Sequence, residues 1–384
     1  MKDNSARKVM QVVLFVICLV LTLIGLVYLL NTSKTATTKT TGELGHWTDS
    51  ARAKQELVSF MEAITDENSA DYIPVERRIA VFDLDGTLFS ETNPIYFDHS
   101  LLLHRVLEDP DYTPSEKELD CAAKILQWVQ DGHYPEGMDT EHGQAIASSF
   151  AGMTVEEFEN YVAEYGKEQA PGYDGMTRAE SLYVPMMEVL DYLADNGFTS
   201  YVVSGTDRLI VRGGLSDTLG LPANQIIGSD EAIVAYGQGD NDGLSYQFTH
   251  DDKLILSGQF ITKNLKMNKV AVIAQEIGAQ PVLSFGNSTG DSSMANYVIT
   301  DNPYRSLAFM LCCDDLDREY GNIEKADKMK SLCEEEGWIP ISMKDDWTTI
   351  YGDGVIKNPS FGLDVYDREY EDIKDRLEAL DDAA

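Results

Sequence analysis

From residue 46 onward the chain alternates short apolar runs with stretches whose apolar positions recur every three or four residues. The first kind reads as buried strands and the second as amphipathic helices, an alternation that predicts a parallel α/β sheet covered by helices. Strand candidates are "RIAVFDLD" (78–85), "TSYVVSGT" (199–206), "PVLSFGN" (281–287) and "SLAFMLCC" (306–313). Three of these four end in a polar cluster, and open parallel sheets bind ligands at the carboxyl ends of their strands. Between the first two strands lie more than a hundred residues of mostly helical pattern, including "LLLHRVLED", "SEKELDCAAKILQWVQDG" and "TVEEFENYVAEYGKEQ". In the second of these, Leu119, Ala122, Ala123, Leu126 and Val129 follow helical spacing, with Gly132 as the stop. The block exceeds a simple crossover, so residues 90–185 are expected to be a helical insertion into a core made of 46–89 and 186–384. In "VPMMEVLDYLADNGF", Pro185 opens a helix and Gly197 closes it. Residues 225–262 read as a flap or hairpin region, "IEKADKMKSLCEEEGW" as a further helix, and "DREYEDIKDRLEALDDAA" as an acidic surface helix with Tyr370, Ile373, Leu377 and Leu380 on one side.

One run breaks this rhythm. Residues 9–30 are 22 positions without a charge, with Gln11 and Thr22 as the clearly polar side chains. That length spans a bilayer core. Lys2, Arg7 and Lys8 precede it, which places residues 1–8 in the cytoplasm and everything beyond residue 30 outside. The expectation is a single-pass cell-membrane protein with its folded part extracytoplasmic; the alternative is a cleaved signal peptide. The Thr- and Gly-rich segment 31–45 reads as a flexible stalk.

The formal net charge is −35, and since residues 1–30 contribute +2, the remainder carries −37. Nucleic acid and anionic membrane surfaces are poor partners for such a body. The five cysteines show no CxxC or Cys/His ligand spacing, which argues against a zinc site of that kind. A disulfide from Cys333 to Cys312 or Cys313 and buried free thiols both remain open.

Four short motifs sit at the strand ends. Asp83-Leu84-Asp85-Gly86-Thr87 puts two carboxylates two positions apart, a costly arrangement unless a cation or a reacting phosphate lies between them. Ser204-Gly205-Thr206 closes the second strand. "NLKMNKVAVIAQEIG" offers Lys266 or Lys269 near a helix start, with Lys263 just before it, and "FGNSTGD" (285–291) follows the third strand with Asn287 and Asp291. In physical terms Asp83 can attack phosphorus and form an acyl phosphate, and Asp85 can protonate the leaving alkoxide and later take a proton from water. Phosphoryl transfer concentrates negative charge, so cations and hydrogen-bond donors are required nearby.

In this order the motifs resemble the signatures of the haloacid dehalogenase superfamily, in its phosphoserine-phosphatase-like branch with a helical cap. The resemblance covers residues 76–315 and is supported by "GMTVEEFENYV", "LDYLADNGFTSYVVSGTDR" and "NQIIGSD". It implies a Rossmann-like parallel sheet with an inserted cap, and a Mg²⁺-dependent phosphomonoesterase acting on a small phosphorylated substrate through an aspartyl phosphate. It implies Asp83 and Asp85 as catalytic residues, Ser204, Gly205 and Lys266 as phosphate ligands, and Asp83, Asp85, Asn287 and Asp291 around Mg²⁺. Lys266 is favoured by its spacing to Gly278, with Lys269 and Lys263 as runners-up. The fourth motif departs from the family, which usually carries Asp where this chain has Asn287; the amide can ligate Mg²⁺ but brings no charge. Glu91 lies one residue early for the substrate-selecting Glu of the phosphoserine-like enzymes. A dehalogenase is disfavoured by the presence of Asp85, and a phosphomutase would use the same residues. The reading from another class is a degenerate family member that serves as a surface binding module.

Overall fold

The computed structural model describes residues 43–92, 95–358, 371 and 373–375. The apolar run at 9–30, nearly all of the stalk and most of the acidic C-terminal stretch lie outside those residues. No helix among the described residues is long and apolar enough to cross a membrane.

The strands are β1 (Ile79–Phe82), β2 (Tyr173–Asp174), β3 (Thr199–Asp207), β4 (Ile226–Ala235), β5 (Leu254–Thr262), β6 (Leu283–Gly286), β7 (Leu307–Cys312), β8 (Ile339–Ser342) and β9 (Ile356–Lys357). Seven of them form one sheet in the order β5-β4-β3-β1-β6-β7-β8, while β2 pairs with β9. All neighbours in the large sheet are parallel except β4 and β5. The 225–262 region is a hairpin, and its two antiparallel strands continue the sheet at one edge. β1 sits between β3 and β6, with Phe82 opposite Val202 on one side and Phe285 on the other. The chain leaves β1 in opposite directions along the sheet, and the crevice of an open α/β sheet forms at such a switch point.

Both faces are covered, which is why β1 reads as a continuous apolar run. Ala80 and Phe82 pack into the larger core, while Val81 joins Val203, Ile227, Ile273, Met294 and Val298 on the opposite side. Phe82, Phe285 and Phe309 stack across three neighbouring strands with ring centroids 4.5 and 4.8 Å apart. Phe285 is the middle ring and supports the strand ends from below. Phe285→Ala should cost about 3–5 kcal/mol by leaving a cavity there, measurable by urea denaturation; a loss under about 1 kcal/mol would show that the stack carries little.

Helix α1 (Arg52–Thr65) buries Ala53, Leu57, Phe60, Met61 and Ile64. The spacing is helical, yet the stretch sits just past the stalk and was not anticipated from sequence. Packed residues begin by Leu44 and Trp47, both under one-tenth exposed. Between β1 and β3 come α2 (Phe97–Leu103), α3 (Glu116–Asp131), α4 (Met138–Ser149), α5 (Val155–Gly166) and α6 (Val184–Asp195). Capping boxes start α3 (Ser115 with Glu118) and α5 (Thr154 with Glu157), and Gly132 in the left-handed region ends α3. Then follow α7 (Arg208–Leu219), α8 (Met267–Val272), α9 (Ser292–Ile299) and α10 (Ile323–Glu336). Of the C-terminal stretch, the described Ile373 is fully buried. Cys121, Cys312, Cys313 and Cys333 are free thiols, so no disulfide links Cys333 to the vicinal pair. Cys312 and Cys333 pack with Met310, Met329 and Trp338 instead.

Candidate active site

The ends of β1, β3 and β6 open into a cavity of about 350 Å³ between the sheet and the helical insertion. Its floor carries Asp83, Asp85, Gly205, Thr206, Lys269, Asn287 and Asp291, and its far wall Tyr96, Asp98, His99, Trp128 and Tyr134.

Asp83 is the residue after β1. Its main-chain N–H donates to the Phe285 carbonyl at 2.8 Å, extending the ladder toward β6 and fixing where the carboxylate emerges. The turn that follows needs Gly86, whose φ is +82° and whose place would put a Cβ 1.9 Å from Asn287 Nδ2. Only glycine lets the Asn287 amide lie across this loop. Asp85 accepts a hydrogen bond from Thr206 Oγ1 at 2.7 Å. Thr206 was not among the residues expected in the site, although it belongs to the Ser-Gly-Thr motif.

Lys269 Nζ lies 2.5 Å from Asp83 Oδ1 and 2.7 Å from Asp291 Oδ1, and its side chain is fully buried. Lys266, the lysine favoured by spacing, stands exposed at the cavity rim in a left-handed conformation (φ 54°). The expectation thus gives way on geometry. Lys269 lies inside the first turn of α8, whose buried face turns it under the strand ends, whereas Lys266 precedes the helix and points away from that core. Lys263 Nζ lies 3.9 Å from Asp98 Oδ2, on the wall side.

Asp291, expected as a metal ligand, already has both oxygens engaged. Oδ1 faces Lys269, and Oδ2 accepts from the Asn287 and Ser288 N–H groups at 3.1 and 3.0 Å and from Ser288 Oγ. It is 1% exposed and holds the turn and the lysine rather than an open coordination site. Asn287 is 7% exposed and is left facing the Asp83–Gly86 loop. Ser204 is fully buried; its Oγ accepts from Thr206 N at 3.0 Å, and its carbonyl accepts from Asn264 Nδ2. Gly205 lines the cavity, and a Cβ there would come within 2.8 Å of Leu265. Glu91 is bound to Lys325 and receives the Tyr96 hydroxyl.

The electrostatics follow from burial. Removal from water, with Asp291 close by, raises Asp83 to about 7 against the opposing pull of Lys269. Asp85 is pushed well above the ordinary carboxylate range by burial and by the charges of Asp98 and Asp83. Burial alone would lower Lys269, but Asp291 and Asp83 more than offset it and hold the ammonium above its usual value. One lysine faces three carboxylates, and the raised proton affinity of Asp83 and Asp85 marks a floor that favours added positive charge. The donors available, Asp83, Asp85 and the Asn287 amide, are all oxygens, a set that suits a hard divalent cation such as Mg²⁺.

No curated protein matches the chain significantly. Among solved structures it is similar to a conserved, functionally unknown protein from Anaerococcus prevotii DSM 20548, at 15% identity and TM-score 0.44, covering 75% of this chain and 92% of that one. It is similar to a phosphoserine phosphohydrolase-like protein from Francisella tularensis subsp. tularensis SCHU S4, at 14% identity and TM-score 0.37, covering 66% and 92%. It is also similar to cytosolic 5′-nucleotidase IIIB bound to cytidine, at 13% identity and TM-score 0.45, covering 85% and 94%. Residues 80–296, more than half of the chain, match the haloacid dehalogenase-like hydrolase family. That span contains every residue on the floor of the cavity, and the chain belongs to this family.

Proposed function

We propose that the chain is a Mg²⁺-dependent phosphomonoester hydrolase, phosphoserine-phosphatase-like in its machinery, that works through an acyl phosphate on Asp83. The observation that carries this reading is the Asp83 carboxylate held by the buried Lys269, with Asp85 two residues away and hydrogen-bonded to Thr206. Lys269 holds one oxygen of Asp83 and leaves the other for attack on phosphorus. Burial and its acidic neighbours raise Asp85 above the ordinary carboxylate range and so favour a proton on it. It can give that proton to the leaving alkoxide and then take one from the water that releases Asp83. Gly205 lines the cavity for the phosphoryl oxygens, while the Ser204 hydroxyl, buried behind it, accepts from the Thr206 N–H and sets the shape of that turn. Mg²⁺, held by Asp83, Asp85 and Asn287, would supply the positive charge that lets two anions approach.

Asn287 supports a second reading, a degenerate member that binds ligands without turnover. A Mg²⁺ titration against a generic phosphomonoester separates the two. The expected result is no phosphate release after chelation, saturation with Mg²⁺ in the wild type, and roughly tenfold less Mg²⁺ for half activity in Asn287→Asp, since an added carboxylate strengthens a hard-cation site. Superimposable curves would remove Asn287 from the metal site, and wild-type inactivity at every Mg²⁺ concentration would favour the binding module.

The uncharged run at 9–30, preceded by Lys2, Arg7 and Lys8, supports an anchor that leaves the hydrolase outside the cell membrane. Protease added to intact cells should then digest the folded part; protection until lysis would reverse the topology.

A further inference from the structure

We propose that the helical insertion carries a second metal site, for a divalent first-row transition cation, formed by Asp98, His99 and His142. Asp98 and His99 lie on α2 and His142 on α4, and all three side chains are at least nine-tenths buried. One donor atom from each lies within 4.8 Å of the others. Asp98 Oδ1 is 2.8 Å from His99 Nδ1, and Asp98 Oδ2 is 3.8 Å from His142 Nδ1.

The second observation is what these imidazoles lack. His99 Nε2 and both ring nitrogens of His142 are buried without a hydrogen-bond partner. A neutral imidazole always carries one donor and one acceptor nitrogen, so a partnerless buried ring forfeits both, and such groups call for a ligand. An ion on one lone pair from each ring, with the Asp98 carboxylate as third ligand, satisfies His99 Nε2 and one of the two His142 nitrogens and spreads the buried negative charge.

The donor set selects the ion. Two imidazoles and one carboxylate with positions left over suit Zn²⁺, Fe²⁺, Co²⁺ or Ni²⁺, while Mg²⁺ prefers oxygens. The two rings now stack 3.9 Å apart and nearly parallel. They have to open about their Cβ–Cγ bonds for the lone pairs to converge, and His99 keeps its Nδ1 proton on Asp98 Oδ1 while its partnerless Nε2 takes the ion. Lys263 Nζ, 3.9 Å from Asp98 Oδ2, is the cation already drawn to this carboxylate, and the ion replaces it with a shorter contact. Asp98 and His99 line the same cavity as Asp83 and Asp85. A cap ion there has coordination positions left for water, or for a hydroxyl or amine on the leaving group.

The test uses full-length protein in detergent, stripped with chelator and titrated with Zn²⁺ in a large excess of Mg²⁺. The expected result is one tightly held Zn²⁺, retained in Asp83→Asn and weakened at least about 100-fold in His142→Gln, since loss of a ligand costs more than loss of a group behind one. X-ray absorption on zinc-loaded wild type should show two imidazole nitrogens around the ion, a readout that needs no variant to fold. Failure to retain Zn²⁺ against Mg²⁺ would overturn the proposal, as would an all-oxygen shell or Zn²⁺ lost in Asp83→Asn and kept in His142→Gln. None of these outcomes depends on phosphatase activity, so the cap site stands or falls apart from the proposed reaction.

Discussion

Asp83→Asn should lower phosphate release by at least about 10³-fold, the scale on which an enzyme loses rate when its nucleophile is removed and only binding and electrostatic stabilisation remain. The amide is nearly isosteric with the carboxylate and can still meet Lys269, so the fold should survive. A melting transition within a few degrees of wild type checks that point. The loss should appear in kcat rather than KM, because the attacking oxygen is needed in the transition state and contributes little to holding the ester. Residual activity within tenfold of wild type would reject covalent catalysis by Asp83.

Lys269→Met should be nearly as severe, by about 10²–10³-fold, while Lys266→Met should stay within about threefold of wild type. The two lysines are three residues apart, but only Lys269 is buried between Asp83 and Asp291. Its removal leaves two buried carboxylates with no cation between them, and breaking a buried pair in this way costs about 3–5 kcal/mol. The pH dependence has a definite sign. Asp83 is raised in the folded protein, to about 7, so the folded state binds a proton that the unfolded state has already released. Stability of the metal-free protein therefore falls as pH rises through that range. Without Lys269 the fall should steepen, and melting temperatures taken at about pH 5 and pH 8 should diverge more for Lys269→Met than for wild type. Equal activity losses in the two lysine variants would undo the assignment of Lys269.

Strand and helix positions around the site were legible because each rests on local chemistry. β1, β3, β6 and β7 are apolar runs buried on both faces, and α3 and α5 carry their own start signals in Ser115-Glu118 and Thr154-Glu157. Asp83 and Asp85 were legible because paired carboxylates at a strand end are expensive without a partner. The choice between Lys266 and Lys269 was not, since both stand near the start of the same helix and only the packing of α8 decides which is buried. Asp291 looked like a metal ligand because its hydrogen bonds to Asn287, Ser288 and Lys269 depend on a turn that spacing does not reveal. The edge pair β4–β5 is legible as a hairpin but not as part of the main sheet, because its outer strand is only partly buried, and the helical spacing of Leu57, Phe60, Met61 and Ile64 in α1 has no start signal beside it, since Ala51 offers no side-chain cap. Asp98, His99 and His142 come from two helices more than forty residues apart in sequence, and nothing local links them.

The most direct test of the central claim is to look for phosphate on Asp83 itself. Wild-type protein mixed with Mg²⁺ and a fast phosphomonoester such as p-nitrophenyl phosphate is quenched in acid within the first turnovers, digested, and read by mass spectrometry. One added phosphoryl group is expected on the peptide that contains Asp83, lost on treatment with hydroxylamine and absent in Asp83→Asn. Steady phosphate release with no label on that peptide would contradict the claim, because water would then be attacking the ester directly and Asp83 would not be the nucleophile.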